Sequence, residues 1–279
     1  MHANFSPLIA LPLAAVLAFL ASALVRRLTR RIVGADNQAL QIVRGADVLG
    51  ALLIGGATTA ATIHGVDWLV SLMWTALFAL LAGSAQSLAS ALGLRALLGG
   101  LVTLELSRAN LAAGVLAAGY ELAFALLAAG CLVGDAAADL GPDLAFFVLG
   151  LAAFHLLIVG FRALTPWDDA EQIRDGNVAA ALTHAALVVA IGLLVSHATE
   201  GDFDGWHASL HAFIQVVSFA ILLVPVRVGL VQALLLRRGW QWRGGALDRL
   251  VGAERNIGVA VLEGAALMGM ALALRAVVP

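Results

Sequence analysis

Asp175-Gly-Asn-Val-Ala-Ala-Ala-Leu-Thr-His-Ala-Ala-Leu-Val-Val-Ala-Ile-Gly-Leu-Leu-Val-Ser196 decides the fold. A polar turn and an asparagine lead straight into an apolar run, and a helix needs about 20 such residues to cross a bilayer. The same opening, an asparagine with a small residue two positions on, occurs four times: Asn37 (Asn-Gln-Ala), Asn110 (Asn-Leu-Ala), Asn177 (Asn-Val-Ala) and Asn256 (Asn-Ile-Gly). Each lies between an arginine-bearing segment and a hydrophobic run. The reading is one two-helix unit, repeated and embedded in a membrane.

Composition agrees. Hydrophobic residues make up 62% of the 279 and charged residues 12%. A soluble domain could not hide that much apolar surface. The net charge of −2 gives no field for nucleic acid, and every basic residue is arginine. The single cysteine, Cys131, lies in an apolar run, has no partner for an internal disulfide and reads as a packed thiol.

Hydropathy predicts eight spans, at Pro7–Val25, Ala46–Ile63, Trp68–Leu92, Leu111–Val133, Leu144–Phe161, Val178–Ser196, Leu210–Leu236 and Ile257–Val278. The second is the weakest, because it carries Asp47, Thr58, Thr59 and Thr62. The odd-numbered connections hold the arginines: Arg26, Arg27, Arg30, Arg31 and Arg44; Arg95 and Arg108; Arg162 and Arg174; then Arg237, Arg238, Arg243, Arg249 and Arg255. The even-numbered connections are acidic, with Asp67, then Asp135, Asp139 and Asp143, then Glu200, Asp202 and Asp204. The positive-inside rule therefore puts both termini outside the cytoplasm. Leu20-Ala-Ser-Ala23 resembles a cleavage site, but no basic region precedes the first span, which favours a retained helix over a cleaved signal.

Aligning on the asparagines gives the unit: helix, cytoplasmic connection, Asn motif, helix. Gly93-Leu-Arg-Ala-Leu and Gly160-Phe-Arg-Ala-Leu sit the same distance before Asn110 and Asn177. A unit that crosses twice keeps its orientation, so four parallel two-helix repeats are expected, related by axes along the membrane normal. Thr165-Pro-Trp-Asp-Asp-Ala-Glu-Gln-Ile-Arg-Asp-Gly-Asn-Val-Ala-Ala-Ala-Leu182 resembles the central motif of the small bacterial inner-membrane proteins typified by YjfL, the domain-of-unknown-function 350 group. Glu254-Arg-Asn-Ile-Gly-Val-Ala260 is similar to that family's second Asn motif. The resemblance covers residues 142–279 and implies a multi-pass inner-membrane protein, but no reaction. Members usually have four helices and two motifs, so this chain resembles a fused pair. Residues 1–135 form a diverged first copy, without the Thr-Pro turn, and residues 136–279 the YjfL-like copy.

The asparagines read either as helix caps beside a close-packing small residue, or as four amides ringing an axis. Ionisable groups at membrane depth are costly and raise a functional expectation. Those expected in a polar interior, lined by the second, fourth, sixth and eighth helices, are Asp47, Glu121, His184, Arg227 and Glu263. Arg227 and Glu263 lie on consecutive antiparallel helices at similar depth and are candidates for an ion pair. Arg44, Ala117, His184 and Glu263 occupy equivalent places seven residues past their asparagines, and His155 lies in the fifth span. His64, His197, His207 and His211 cluster toward the outer face. His207 and His211 have metal-compatible spacing, but two histidines alone are weak evidence. Trp240 and Trp242 among arginines read as an interfacial anchor for anionic lipid, and Trp167 to Glu171 as a loop leading into the sixth span.

Walker-type loops, Gly-x-Ser-x-Gly and His-Glu-x-x-His are absent, so no enzyme and no cofactor is expected. The expectation is an all-α membrane protein, channel- or transporter-like with a polar interior. The alternative is a membrane scaffold or envelope-stress component without transport. Substrate, protein partners and oligomeric state are not encoded in any motif.

Overall fold

The computed structural model describes residues 6–29, 37–63, 67–201 and 203–278. Expectations resting on Arg30, Arg31, His64 and Asp202 fall outside these. Among the described residues every regular element is helical, and eight helices are long and apolar enough to cross a membrane. In chain order the elements are α1 (Ser6–Thr29), α2 (Gln38–Thr62), α3 (Trp68–Leu98), the short α4 (Leu101–Ser107), α5 (Leu111–Cys131), α6 (Leu140–Arg162), the short α7 (Asp169–Arg174), α8 (Val178–His197), α9 (Trp206–Leu235), the short α10 (residues 246–253) and α11 (Ile257–Val277).

Helices α2, α5, α8 and α11, each opened by one of the four asparagines, stand side by side in that order. The two ends of the row, α2 and α11, share no packed interface, so the asparagines form a line and not a ring. The other spans flank the row. Helix α1 packs on α2 and α3, α3 packs on α5, α6 packs on α8 and α5, and the inner half of α9 packs on α11.

Small residues set this arrangement. Lipid tails are as apolar as leucine, so spanning helices associate through close contact of backbones and not through hydrophobic exclusion. A Cβ placed on Gly192 of α8 would lie 2.8 Å from the Ala123 Cα of α5, and one on Gly114 of α5 would lie 2.8 Å from the Ala39 Cα of α2. Alanines Ala112, Ala113, Ala117, Ala123, Ala125 and Ala128 of α5 are all fully buried. Leucines and valines such as Leu8, Leu28, Leu156 and Val277 point outward, as a lipid-facing surface requires.

Several span ends shift by four to six residues from the hydropathy reading, and two departures are more instructive. Helix α2 starts at Gln38, not Ala46, because the Asn37 cap nucleates it and its polar first turns (Gln38, Gln41, Arg44) stay exposed. The segment read as a loop, Trp167–Glu171, winds into α7, opened by Asp168, whose side chain accepts from the Ala170 N–H. One feature was not expected at all. After Pro225 the winding of α9 widens to a π-helix over Val226–Leu235. Proline has no N–H to give to the preceding turn, and local π-winding is one way a helix absorbs that loss.

Candidate functional site

All four asparagines cap their helices in the same way. Asn37 accepts from the Leu40 N–H at 2.9 Å, Asn110 from Ala113 at 3.4 Å, Asn177 from Ala180 at 3.1 Å and Asn256 from Val259 at 3.1 Å. The residue just before the cap is left-handed at Ala109 (φ 60°), Gly176 (φ 70°) and Arg255 (φ 53°). That single residue ends the short helix and turns the chain into the span.

The amide nitrogens do something that capping does not require. Asn37 donates to the Leu106 carbonyl (3.0 Å), Asn110 to that of Ile173 (2.7 Å) and Asn177 to that of Gly252 (3.1 Å). Each acceptor lies four residues before the next asparagine in the chain. Each asparagine thus ties its own span to the turn that opens the next, so these turns share one end of the bundle. Asn177 is fully buried, and its amide also reaches the Val251 carbonyl (3.0 Å) and Gln172 Oε1 (2.6 Å). Asn256 is exposed.

A cluster of buried charges lies just inside this layer, in the second half. Asp169 of α7 accepts through Oδ2 from Arg162 Nε at 2.6 Å and faces His184 Nδ1 at 3.3 Å; its Oδ1 accepts from Trp167 Nε1 at 3.2 Å. Burial by itself would raise the Asp169 carboxyl, but the hydrogen bond and charge of His184, with the charge of Arg162, outweigh it and hold it below the usual carboxylate range. The other His184 nitrogen lies 3.2 Å from the Tyr120 hydroxyl of α5. A neutral His184 that donates to Asp169 accepts from Tyr120, and a charged one donates to both. The Tyr120 hydroxyl can turn to suit either state.

The second set repeats the first. Arg227 of α9 donates through Nε to Glu263 Oε1 of α11 at 2.7 Å and through Nη2 to Asp248 of α10. Glu263 Oε2 accepts from Thr183 of α8 at 3.1 Å. Asp169 and Asp248 lie eight residues before their asparagines, and His184 and Glu263 seven after. The two sets meet at a cavity of about 30 Å³ lined by Arg162, Asp169, Thr183, His184, Arg227 and Glu263. Roughly 30 Å³ is the share of liquid volume that one water takes.

The five residues expected in a polar interior therefore fall into three settings. His184, Arg227 and Glu263 meet at this cavity. Asp47 pairs with Arg26 between α2 and α1. Glu121, fully buried on α5, accepts from Gln86 of α3 at 3.3 Å. Sequence reading missed Arg162, Asp169, Thr183, Asp248 and Tyr120. Aligning on the asparagines could have found the two aspartates, since both stand at the same offset.

At the opposite end the ends of α2, α5, α6 and α9, with the connection after α8, line an open cavity of about 890 Å³, and Asp135, Asp139, Asp143, Glu200, Asp204 and Cys131 are among its residues. His197 pairs with Glu200, while His207 and His211 are exposed. Among the described residues no group of three His, Cys, Asp or Glu side chains is placed to hold a metal ion. Trp240 and Trp242 are half exposed and meet edge to face at 5.5 Å, in a loop folded back on α9 by Gln232, which donates to the Gly239 and Gln241 carbonyls.

The fold and this buried site define a multi-pass helical membrane protein. The chain belongs to the family described as Domain of Unknown Function (DUF350), whose model matches residues 135–278. No match was found among curated proteins or among solved structures.

Proposed function

We propose that this is a non-enzymatic bacterial inner-membrane protein that moves protons or small cations. It is built as four parallel two-helix units, with residues 1–135 a diverged copy of residues 136–279 and both termini periplasmic. The observation that carries the reading is the water-sized cavity touching Asp169, His184, Arg227 and Glu263. Around it stand two guanidinium groups, Arg162 and Arg227, against three carboxyl groups, Asp169, Asp248 and Glu263. Counting the two guanidiniums against the three carboxylates, the cluster carries one excess negative charge. An uncompensated buried ion costs several kcal/mol. One proton taken up by the cluster closes the balance, which makes it a proton-binding site beside the cytoplasmic layer.

The acidic outer cavity is the matching feature at the other face. Its carboxylates concentrate cations at the mouth, as a cleft lined by one sign of charge does. About 18 Å of helix, from His184 to Ser196, separates the two polar ends. Between them Tyr120, Phe124, Phe154 and Ile158 are fully buried and form a dry block that a transport cycle has to open.

A second reading has its own support. Arg227 is bonded on both sides, and the row is closely packed on alanine and glycine, as suits a membrane scaffold. In that reading the half-exposed Trp240 and Trp242, with Arg237, Arg238 and Arg243, hold the protein on anionic lipid. Proton uptake into proteoliposomes under a pH gradient separates the two. The transport reading expects uptake that Glu263→Gln removes, and uptake absent under every gradient leaves the scaffold.

A further inference from the structure

The three interfaces inside the row follow one register. Counting from each asparagine, positions 2, 9 and 13 of one span face positions 4, 8 and 15 of the next: Ala39 against Gly114, Gly119 against Ala185, Ala186 against Gly264, Gly50 against Ala125 and Ala123 against Gly192. A Cβ on each of these glycines would come within 2.7 to 2.9 Å of the facing alanine. At every internal contact of this register both residues are glycine or alanine.

Among the described residues the last span presents the same face to no other helix. Positions 2, 9 and 13 of α11 are Gly258, Ala265 and Gly269, all exposed, and a Cβ on Gly269 would meet no atom within 4 Å. Asn256 caps α11, and among the described residues its amide bridges to no further helix. At the other end, positions 4, 8 and 15 of α2 are Gln41, Gly45 and Leu52, exposed and with open space at Gly45. The two free faces are matched in size. The bulky Gln41 and Leu52 correspond to Gly258 and Gly269, and Ala265 corresponds to Gly45. Internal pairs differ in being small on both sides, so only the glycines of α11 leave room for the larger Gln41 and Leu52.

Resting on the tandem-unit reading, we propose that the protein assembles head to tail, with the free face of α11 in one copy docking on the free face of α2 in a second copy. Such an interface is heterologous. It closes into a ring if the rotation per copy allows and otherwise runs on as an array. Both faces belong to helices long and apolar enough to cross a membrane, where close backbone approach is the main attraction between helices.

Cysteine cross-linking in the membrane tests this on a Cys131→Ala background. Gly45→Cys and Ala265→Cys are placed on two differently tagged chains, which are co-expressed and oxidised. The expected product is a disulfide-linked dimer carrying both tags, lost when Gly269→Trp is added to the Ala265→Cys chain. A dimer formed by Ala265→Cys alone would show twofold packing and overturn the proposal, as would no dimer at all. The intrachain pair Ala46→Cys and Ala118→Cys, at the same register inside the row, reports on the tandem-unit reading itself. If it cross-links and the intermolecular pair does not, only the docking fails. If it does not, the register fails first.

Discussion

The two halves of the chain share a skeleton and differ in what they bury. Residues 37–131 and 177–277 both run from an asparagine-capped span to another whose cap is tied to it by a donated amide. In the second half the positions eight before and seven after each asparagine carry Asp169 with His184 and Asp248 with Glu263. Around Asn110 the same positions are Val102 and Ala117. The first half instead buries other polar pairs between helices: Arg26 with Asp47, Gln86 with Glu121, and Thr62 with Thr75. At Asn110 the skeleton therefore stands without charges at these two offsets, while around Asn37 they are Thr29 and Arg44. Where the charges are present, packing does not explain them, since a buried ion pair is weak evidence for stability.

The largest expected effect contrasts the arginines of the two halves. Arg227→Ala leaves Glu263 and Asp248 buried without their cation and is expected to cost about 3–5 kcal/mol. Arg26, partly exposed at the membrane end, has one carboxylate partner, and Arg26→Ala should cost on the order of 2 kcal/mol or less. Equilibrium unfolding in mixed micelles measures both, and equal losses would erase the distinction between the halves.

The asparagines give the next contrast. Asn177→Ala removes a cap and buried bridging bonds and should cost about 2–4 kcal/mol, whereas Asn256→Ala removes an exposed cap and should cost about 1 kcal/mol. The same unfolding assay reads the difference. If the two variants behave alike, the amide bridges contribute nothing.

A subtler effect depends on pH. Because the Asp169 carboxyl is held below its ordinary value by His184 and Arg162, its contribution to stability is fully present above the unfolded carboxylate value, about 3.9, and is lost as pH falls through the lowered folded value. Unfolding followed through the acid range should show this loss in the parent, and Asp169→Asn should flatten it. An unchanged acid limb in the variant would mean that Asp169 is not held by these partners.

The smallest effect lies at the turns. Ala109→Gly and Arg255→Gly relieve a left-handed backbone and should each stabilise by up to about 1 kcal/mol, while Gly176→Ala should destabilise by a similar amount. Thermal unfolding midpoints shifting in opposite directions would support this, and shifts of one sign would not.

The parts legible in the sequence are those written by local rules. Apolar length marks the eight spans, and Asn37, Asn110, Asn177 and Asn256 mark where four of them start. The Arg227–Glu263 pair was also visible, because consecutive antiparallel helices bring equal depths together. The rest depends on which helices become neighbours. Nothing within Ile173 or Gly252 says that its carbonyl receives an amide from another unit. Asp169 reads as one acid among several near a turn until α6 and α8 close over it. Tyr120 and Thr183 acquire their roles only because α5, α8 and α11 are consecutive in the row. The π-winding after Pro225, which accompanies the placement of Arg227, has no periodic signal in a run that is apolar on every side.

The account stands or falls on whether the second half handles a proton that the first half does not, and two buried glutamates decide it. Proteoliposomes holding the parent protein, Glu121→Gln or Glu263→Gln are given the same pH gradient, and proton uptake is followed with an internal dye. Uptake should persist in Glu121→Gln and disappear in Glu263→Gln. Uptake indifferent to Glu263→Gln, or lost equally in both variants, would contradict it.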